Sequence, residues 1–141
     1  WRWYGIPVRS QLAILGAETA LGTYPQGGRL VKRNNFGCVK SFPNYGATAW
    51  GELADGTVRV GGSRWLTWPD RWTGITAWGR YMKVGAGGVY RNMVFNGHPD
   101  WSRFAATYYG AGVPGLGHYV SNLRAIDRQY TAMAREHGFR W

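Results

Sequence analysis

Apolar residues recur at helical spacing near the start of the chain. Val8, Leu12 and Leu15 follow an i, i+4, i+7 pattern, Pro7 suits a first helical position and Gly22 a left-handed cap. The pattern predicts a helix from about Pro7 to Leu21. Residues 23–47 carry Pro25, Gly27-Gly28, Asn34-Asn35, Gly37 and Pro43-Asn44, and predict a loop. Residues 48–61 alternate weakly around Asp55-Gly56, a dipeptide suited to a two-residue turn, and predict one β-hairpin with that turn. Asp70 after Pro69 predicts the N-cap of a helix over about 71–83, with Trp72, Ile75, Gly79 and Met82 on its buried face. A short helix is predicted after Pro99, with Trp101, Phe104, Ala105 and Tyr108 on one side. The last helix, from about His118 to His137, has the stripe Tyr119, Leu123, Ile126, Tyr130 and Met133 and is ended by Gly138. The fold class expected is α+β, mainly α: one helical domain over residues 1–141 with a small β-hairpin lobe and no internal repeat.

Composition narrows the function classes. A chain of 141 residues buries enough apolar surface to dispense with a disulfide staple. With 45% hydrophobic residues, 9 Trp, 9 Tyr and 5 Phe, disorder is excluded. No run approaches the ~20 apolar residues of a membrane span, and no charged-then-apolar leader opens the chain. A start at Trp1 suggests a processed product or a module of a larger protein. Cys38, the single cysteine, excludes an internal disulfide framework and a multi-cysteine zinc site. It reads as a small buried side chain more readily than as a thiol nucleophile. With 17 Lys and Arg against 7 acids, the formal charge of +10 implies a polyanionic partner: nucleic acid, acidic lipid, or a wall polymer bearing phosphates and carboxylates.

Several motifs fail on context. Gly110-Ala111-Gly112-Val113-Pro114-Gly115 fits a dinucleotide fingerprint by letter, but it follows an aromatic helix and contains a proline, with no βαβ unit around it. His98, His118 and His137 are dispersed and make no metal-binding pattern, so neither cofactor nor metal is expected. The basic residues are spread along the chain with no recognition helix or RNA-binding aromatic motif. This favours attraction to a polymer over nucleic-acid readout.

Among the seven carboxylates, Glu18 is the most informative. It lies at the border of the apolar stripe, one turn after Ile14 and one turn before Gly22. Partial burial and the negative end of the helix dipole both disfavour its charged form. A carboxyl kept protonated near neutral pH is what a general acid needs to protonate a glycosidic oxygen. On spacing alone, a surface glutamate with no role fits equally well. Asp55 reads as a turn residue, Asp70 and Asp100 as helix caps, and Asp127 and Glu136 as solvent-facing charges.

The run from Tyr4 to Gly22, YGIPVRSQLAILGAETALG, resembles the opening helix of bacterial and phage peptidoglycan glucosaminidases, the flagellar-muramidase and autolysin group (glycoside hydrolase family 73) with a lysozyme-like fold. Their signature is an apolar helix ending in Glu, a short gap and Gly, followed after a loop by Asn-x-Phe-Gly. Here Asn34-Asn35-Phe36-Gly37-Cys38-Val39-Lys40 supplies the second part. The stretch from Thr48 to Gly56 is similar to the family's β-lobe, where a Glu shortly precedes a hairpin-turning Gly. Residues 65–81 and 105–130 resemble its aromatic strand, helix, Tyr-containing loop and closing helix. The family's Tyr-Ala-Thr-Asp-type loop is replaced by Tyr108-Tyr109-Gly110-Ala111-Gly112-Val113-Pro114, which lacks the Asp.

The resemblance implies Glu18 as general acid, Glu52 as second carboxylate, and Tyr109, with Tyr108 as alternate, as a substrate-orienting or charge-stabilising phenol. Asn35 and Phe36 would line the cleft, and Trp50 and Tyr45 are stacking platforms or core residues. The activity it implies is hydrolysis of β-1,4 glycosidic bonds of peptidoglycan on the N-acetylglucosaminyl side, by an extracellular monomer acting on the cell wall as an autolysin, a phage-particle component or a lysis enzyme. The +10 charge would hold such a protein to the anionic wall. Alternatives are a muramidase or lytic transglycosylase on the same fold, or a non-catalytic wall-binding module.

Overall fold

A computed structural model describes residues 2–3, 6–19, 25–41, 54–84, 89–94 and 99–138. Among these residues 63% are helical and 13% lie in strands. In chain order the elements are β1 (Arg2–Trp3), β2 (Ile6–Pro7), α1 (Val8–Thr19), α2 (Pro25–Val31), β3 (Gly56–Val60), β4 (Ser63–Thr67), α3 (Arg71–Val84), α4 (Val89–Val94), α5 (Trp101–Ala105), a π-helical turn (Ala106–Gly110) and α6 (Leu116–Glu136). The chain is thus α+β and mainly α. It forms two compact units, one of Trp1–Ala17 with Met82–Trp141 and one of Glu18–Tyr81.

In the first unit, β1 and β2 pair antiparallel with Trp3 opposite Ile6. Ile6, Ile14, Val94, Phe104 and Leu123 are fully buried. Two buried polar side chains are matched: Ser10 Oγ donates to the Val94 carbonyl (3.3 Å) and Gln11 Nε2 to that of Ile6 (2.8 Å). α4 was not foreseen; its Tyr90, Met93 and Val94 occupy the i, i+3, i+4 positions of one buried face. Asp100 caps α5 as predicted, accepting from Arg103 N at 3.0 Å. Trp101, Phe104 and Ala105 are buried as expected. α6 keeps Tyr119 and Leu123 inside, whereas Met133 is 44% exposed and Ala134 takes the buried place beside it. Gly16 lets α1 approach Ile126 of α6, where a Cβ would stand 3.2 Å from that side chain.

Asp127 departs from its predicted role as a solvent-facing charge. It pairs with Arg9 Nε at 3.4 Å and accepts from Trp101 Nε1 at 3.2 Å. The indole supplies a fixed donor and Arg9 the countercharge, so the carboxylate tolerates being mostly covered.

In the second unit, α2 replaces part of the predicted loop. Its Gly27-Gly28 lowers helix propensity by ~1 kcal/mol per residue and hides the helix from sequence patterning. Pro25 at the first position and the buried Leu30 support it. The hairpin exists, but its turn is not Asp55-Gly56. β3 and β4 pair from Gly56 opposite Thr67 to Val60 opposite Ser63, and Gly61-Gly62 make the turn at φ 58° and 78°. A two-residue turn with positive φ at both positions suits two glycines better than Asp-Gly. Asp55 instead closes the base of the hairpin, its N–H donating to the Thr67 carbonyl (3.0 Å) and its carboxylate accepting the Thr67 hydroxyl (2.6 Å).

Asp70 caps α3, accepting from Thr73 N (2.9 Å) and Thr73 Oγ1 (2.6 Å). The Thr73 hydroxyl and backbone hydrogen bonds hold its carboxyl below the usual carboxylate range. The cap therefore supports folding above that range, and its contribution is lost as pH falls through the lowered value. Of the face predicted for α3, Gly79 and Met82 are buried and Ile75 is half-buried, but Trp72 is 71% exposed, and the buried face turns to take in Gly74, Ala77 and Trp78. The rotation follows from Gly74, where a Cβ would stand 1.9 Å from the Asn34 carbonyl oxygen, so this side of α3 must face the 32–34 turn.

Gly37 is tighter still: a Cβ there would stand 1.8 Å from Cδ1 of the fully buried Trp78 indole. Gly37→Ala is expected to destabilise the protein by about 3 kcal/mol, the upper end of ordinary overpacking, because a buried ring cannot swing aside. Urea unfolding checks this, and an unchanged midpoint would contradict the packing.

Candidate functional site

Glu18 stands in the last turn of α1, half-buried, next to the fully buried Thr19. Both features that single it out in the sequence, partial burial and the carbonyl end of a helix, are present in the fold. Opposite it is the segment Asn34–Lys40. Asn34 and Cys38 both take left-handed backbone conformations, at φ 60° and 50°. A non-glycine residue holds such a conformation only where its surroundings over-determine it. Here they do. Asn34 Nδ2 donates to the Trp68 carbonyl (2.8 Å), and Trp68 N–H returns a bond to the Arg33 carbonyl (3.2 Å).

Asn35 completes the lock. It has no exposed surface. Its Nδ2 donates to the carbonyls of Val39 (2.9 Å) and Leu66 (2.8 Å), and its Oδ1 accepts from Val39 N (2.8 Å). Both amide protons are spent inside the protein, on the turn itself and on β4. The cleft-lining role expected of Asn35 is replaced by a scaffolding one in this structure. Phe36 is half-buried in the same turn.

The turn delivers Cys38 to Glu18. The thiol points at the Glu18 main-chain carbonyl (Sγ to O 3.7 Å) and interacts with the Glu18 carboxylate by hydrogen bonding and by charge. Burial pushes the Cys38 thiol far up from its ordinary value, and the Glu18 charge and hydrogen bond push it the same way. Such a thiol is a neutral donor rather than a nucleophile. The sequence led to the expectation of a small buried side chain at Cys38; the residue is half-buried, and its contact with Glu18 is one that no spacing rule reveals.

Cys38 is accordingly expected to resist iodoacetamide at pH 8 in the folded protein and to react after unfolding. Because the folded thiol keeps its proton while the unfolded one ionises near the ordinary ~8.5, the cysteine's contribution to stability is present below that pH and declines above it. Native labelling at the unfolded rate would contradict this placement.

Tyr108 and Tyr109 lie on the π-helical turn of the first unit, and the structure separates their roles. Tyr108 is half-buried, stacked on Phe104 (5.0 Å between centroids, 22°) and edge-on to Tyr90 (5.3 Å, 73°). Tyr109 is 43% exposed and stacked on Tyr119 (4.8 Å, 16°), so it is the one that presents its ring to solvent. Glu52, Trp50 and Tyr45 fall outside the described residues. Among the described residues no three His, Cys, Asp or Glu side chains gather as a metal site, and no helix is long and apolar enough to cross a membrane.

No family model, curated protein or solved structure matches the chain. Glu18, at the end of α1, and the Asn34–Lys40 turn lie in the second unit, joined by the Glu18–Cys38 contact.

Proposed function

We propose that the chain is a peptidoglycan hydrolase of lysozyme-like architecture that cleaves β-1,4 glycosidic bonds on the N-acetylglucosaminyl side, with Glu18 as general acid. The observation that carries this reading is the setting of Glu18: a half-buried carboxyl at a helix end, held over a turn whose two left-handed residues, Asn34 and Cys38, are tied down. A proton donor gains most from a fixed position and from exclusion of water.

In the reaction, Glu18 gives its proton to the glycosidic oxygen as the bond to C1 breaks, and the bonding pair leaves with that oxygen. The positive charge developing at C1 is met by water or by the substrate's own N-acetyl oxygen. The water's proton returns to a carboxylate, for which the family resemblance offers Glu52. For the phenol that orients substrate or steadies charge the resemblance offers Tyr109, a residue of the first unit that is 43% exposed. The excess of cations retains the enzyme on the anionic wall outside the cell, an attraction weakened by salt.

Mass spectrometry of fragments released from purified walls tests the bond assignment. New reducing ends of N-acetylglucosamine support it. Reducing N-acetylmuramic acid would make the protein a muramidase, an anhydro sugar a lytic transglycosylase, and binding without any release a wall-binding module.

A further inference from the structure

The turn at Gly61-Gly62 places two arginines side by side. In the β3–β4 register Arg59 is directly opposite Arg64, one pair in from the turn. The Arg64 carbonyl accepts from Ser41 N–H (2.9 Å) and so points away from β3, which makes Arg59–Arg64 a non-hydrogen-bonded pair. In such pairs the Cα atoms are about 4.5 Å apart and the side chains leave the same face at their closest spacing. Like charges so placed are destabilising in the free protein.

Both arginines are exposed, and among the described residues neither forms an ion pair. The three described carboxylates of this unit are engaged elsewhere: Asp55 with Thr67, Asp70 with the start of α3, Glu18 with Cys38. The other residues of this hairpin face are Thr57 and the buried Leu66. Trp65 belongs to the opposite face, where Lys40 Nζ lies over its ring at 5.3 Å from the centroid. Among the described residues the hairpin tip thus offers two guanidinium forks and no aromatic platform.

We propose that the Arg59–Arg64 pair is a docking site for a phosphodiester polymer without bases, of the polyol-phosphate kind. Paired guanidinium forks match phosphate oxygens, and a chain of phosphates supplies the negative charge that offsets their mutual repulsion. Binding releases the polymer's counterions and is steeply salt-dependent. Among the described residues of the hairpin none on this face carries a ring, which favours such a polymer over single-stranded nucleic acid with its base–aromatic contacts. The choice of a wall polymer rests on the function proposed above; the anion site itself does not.

The test is binding of the full chain to poly(glycerol phosphate) across a salt series, with a single-stranded oligonucleotide of equal charge in parallel. Arg59→Ala/Arg64→Ala is expected to weaken polymer binding about 10–30-fold near 0.1 M salt and to lower the log–log salt slope by about 1–2. Arg128→Ala/Arg135→Ala removes the same charge from exposed positions of α6 and is expected to cost less than about 3-fold. Equal losses from both double variants would overturn the proposal in favour of diffuse charge. Tighter binding of the oligonucleotide, lost with the same tip substitutions, would overturn it in favour of nucleic acid. Should the alanine pair not fold, Arg59→Gln and Arg64→Gln carry the test singly, each expected to lower the slope by about 1. The hydrolase reading fails separately: Glu18→Gln is expected to keep polymer binding in full, and the tip variants to clear phosphate-free walls at the wild-type rate.

Discussion

Glu18→Gln is expected to slow clearing of purified cell walls by about 10²–10⁴-fold, the range set by loss of a general acid. Glutamine matches glutamate in shape and in the capacity to accept a hydrogen bond, so the Cys38 thiol keeps a partner. What it lacks is a proton to give. The variant is therefore expected to retain its circular dichroism spectrum and its sedimentation with walls, separating lost chemistry from lost structure. Clearing at the wild-type rate would remove Glu18 from the mechanism.

The largest effect on stability is expected at Asn35. Truncation to alanine strands the carbonyl of Leu66 and the N–H of Val39 in a region without solvent around the amide, and leaves the Val39 carbonyl with the Leu66 N–H alone. Each buried orphan costs about 1–3 kcal/mol, so Asn35→Ala is expected to lose about 3 kcal/mol or more in urea unfolding. Asn35→Asp keeps an acceptor for Val39 N but turns the other oxygen toward two carbonyl oxygens, and it is expected to be no better. Because the same turn carries Cys38 to Glu18, wall clearing is expected to fall in both variants under conditions where they remain folded. A stability unchanged by either substitution would contradict the scaffolding role.

Features encoded by adjacent residues were legible in the sequence. Asp70 and Asp100 cap the helices that they were expected to cap, α6 buries Tyr119 and Leu123 of its apolar stripe and stops before Gly138, and α1 carries Glu18 in its last turn. Features decided by distant partners were not. Trp72 is outside because Gly74 meets the Asn34 carbonyl, and Asp127 is covered because Arg9 and Trp101 receive it. α2 was concealed by its own glycines. The hairpin was displaced because two turn dipeptides compete within eight residues, 55–62, and the pair able to take positive φ twice prevails. That displacement also hid the arginine pair, since Arg59 and Arg64 face each other only when Gly61-Gly62 is the turn. At the site, the acid was readable from helix position, whereas the inward commitment of Asn35 and the contact of Cys38 with Glu18 depend on β4 and on the end of α1.

The most direct measurement of the central claim compares two leaving groups. Proton donation matters for a sugar alkoxide, which departs poorly as an anion, and hardly at all for dinitrophenolate, which departs unaided. Wild type and Glu18→Gln are to be assayed on glycan strands and on a dinitrophenyl β-glycoside of an N-acetylglucosamine oligosaccharide. The account predicts a loss of about 10²–10⁴-fold on strands that shrinks to within about tenfold on the activated glycoside. An equal loss on both substrates would contradict it, because Glu18 would then serve something other than departure of the leaving oxygen.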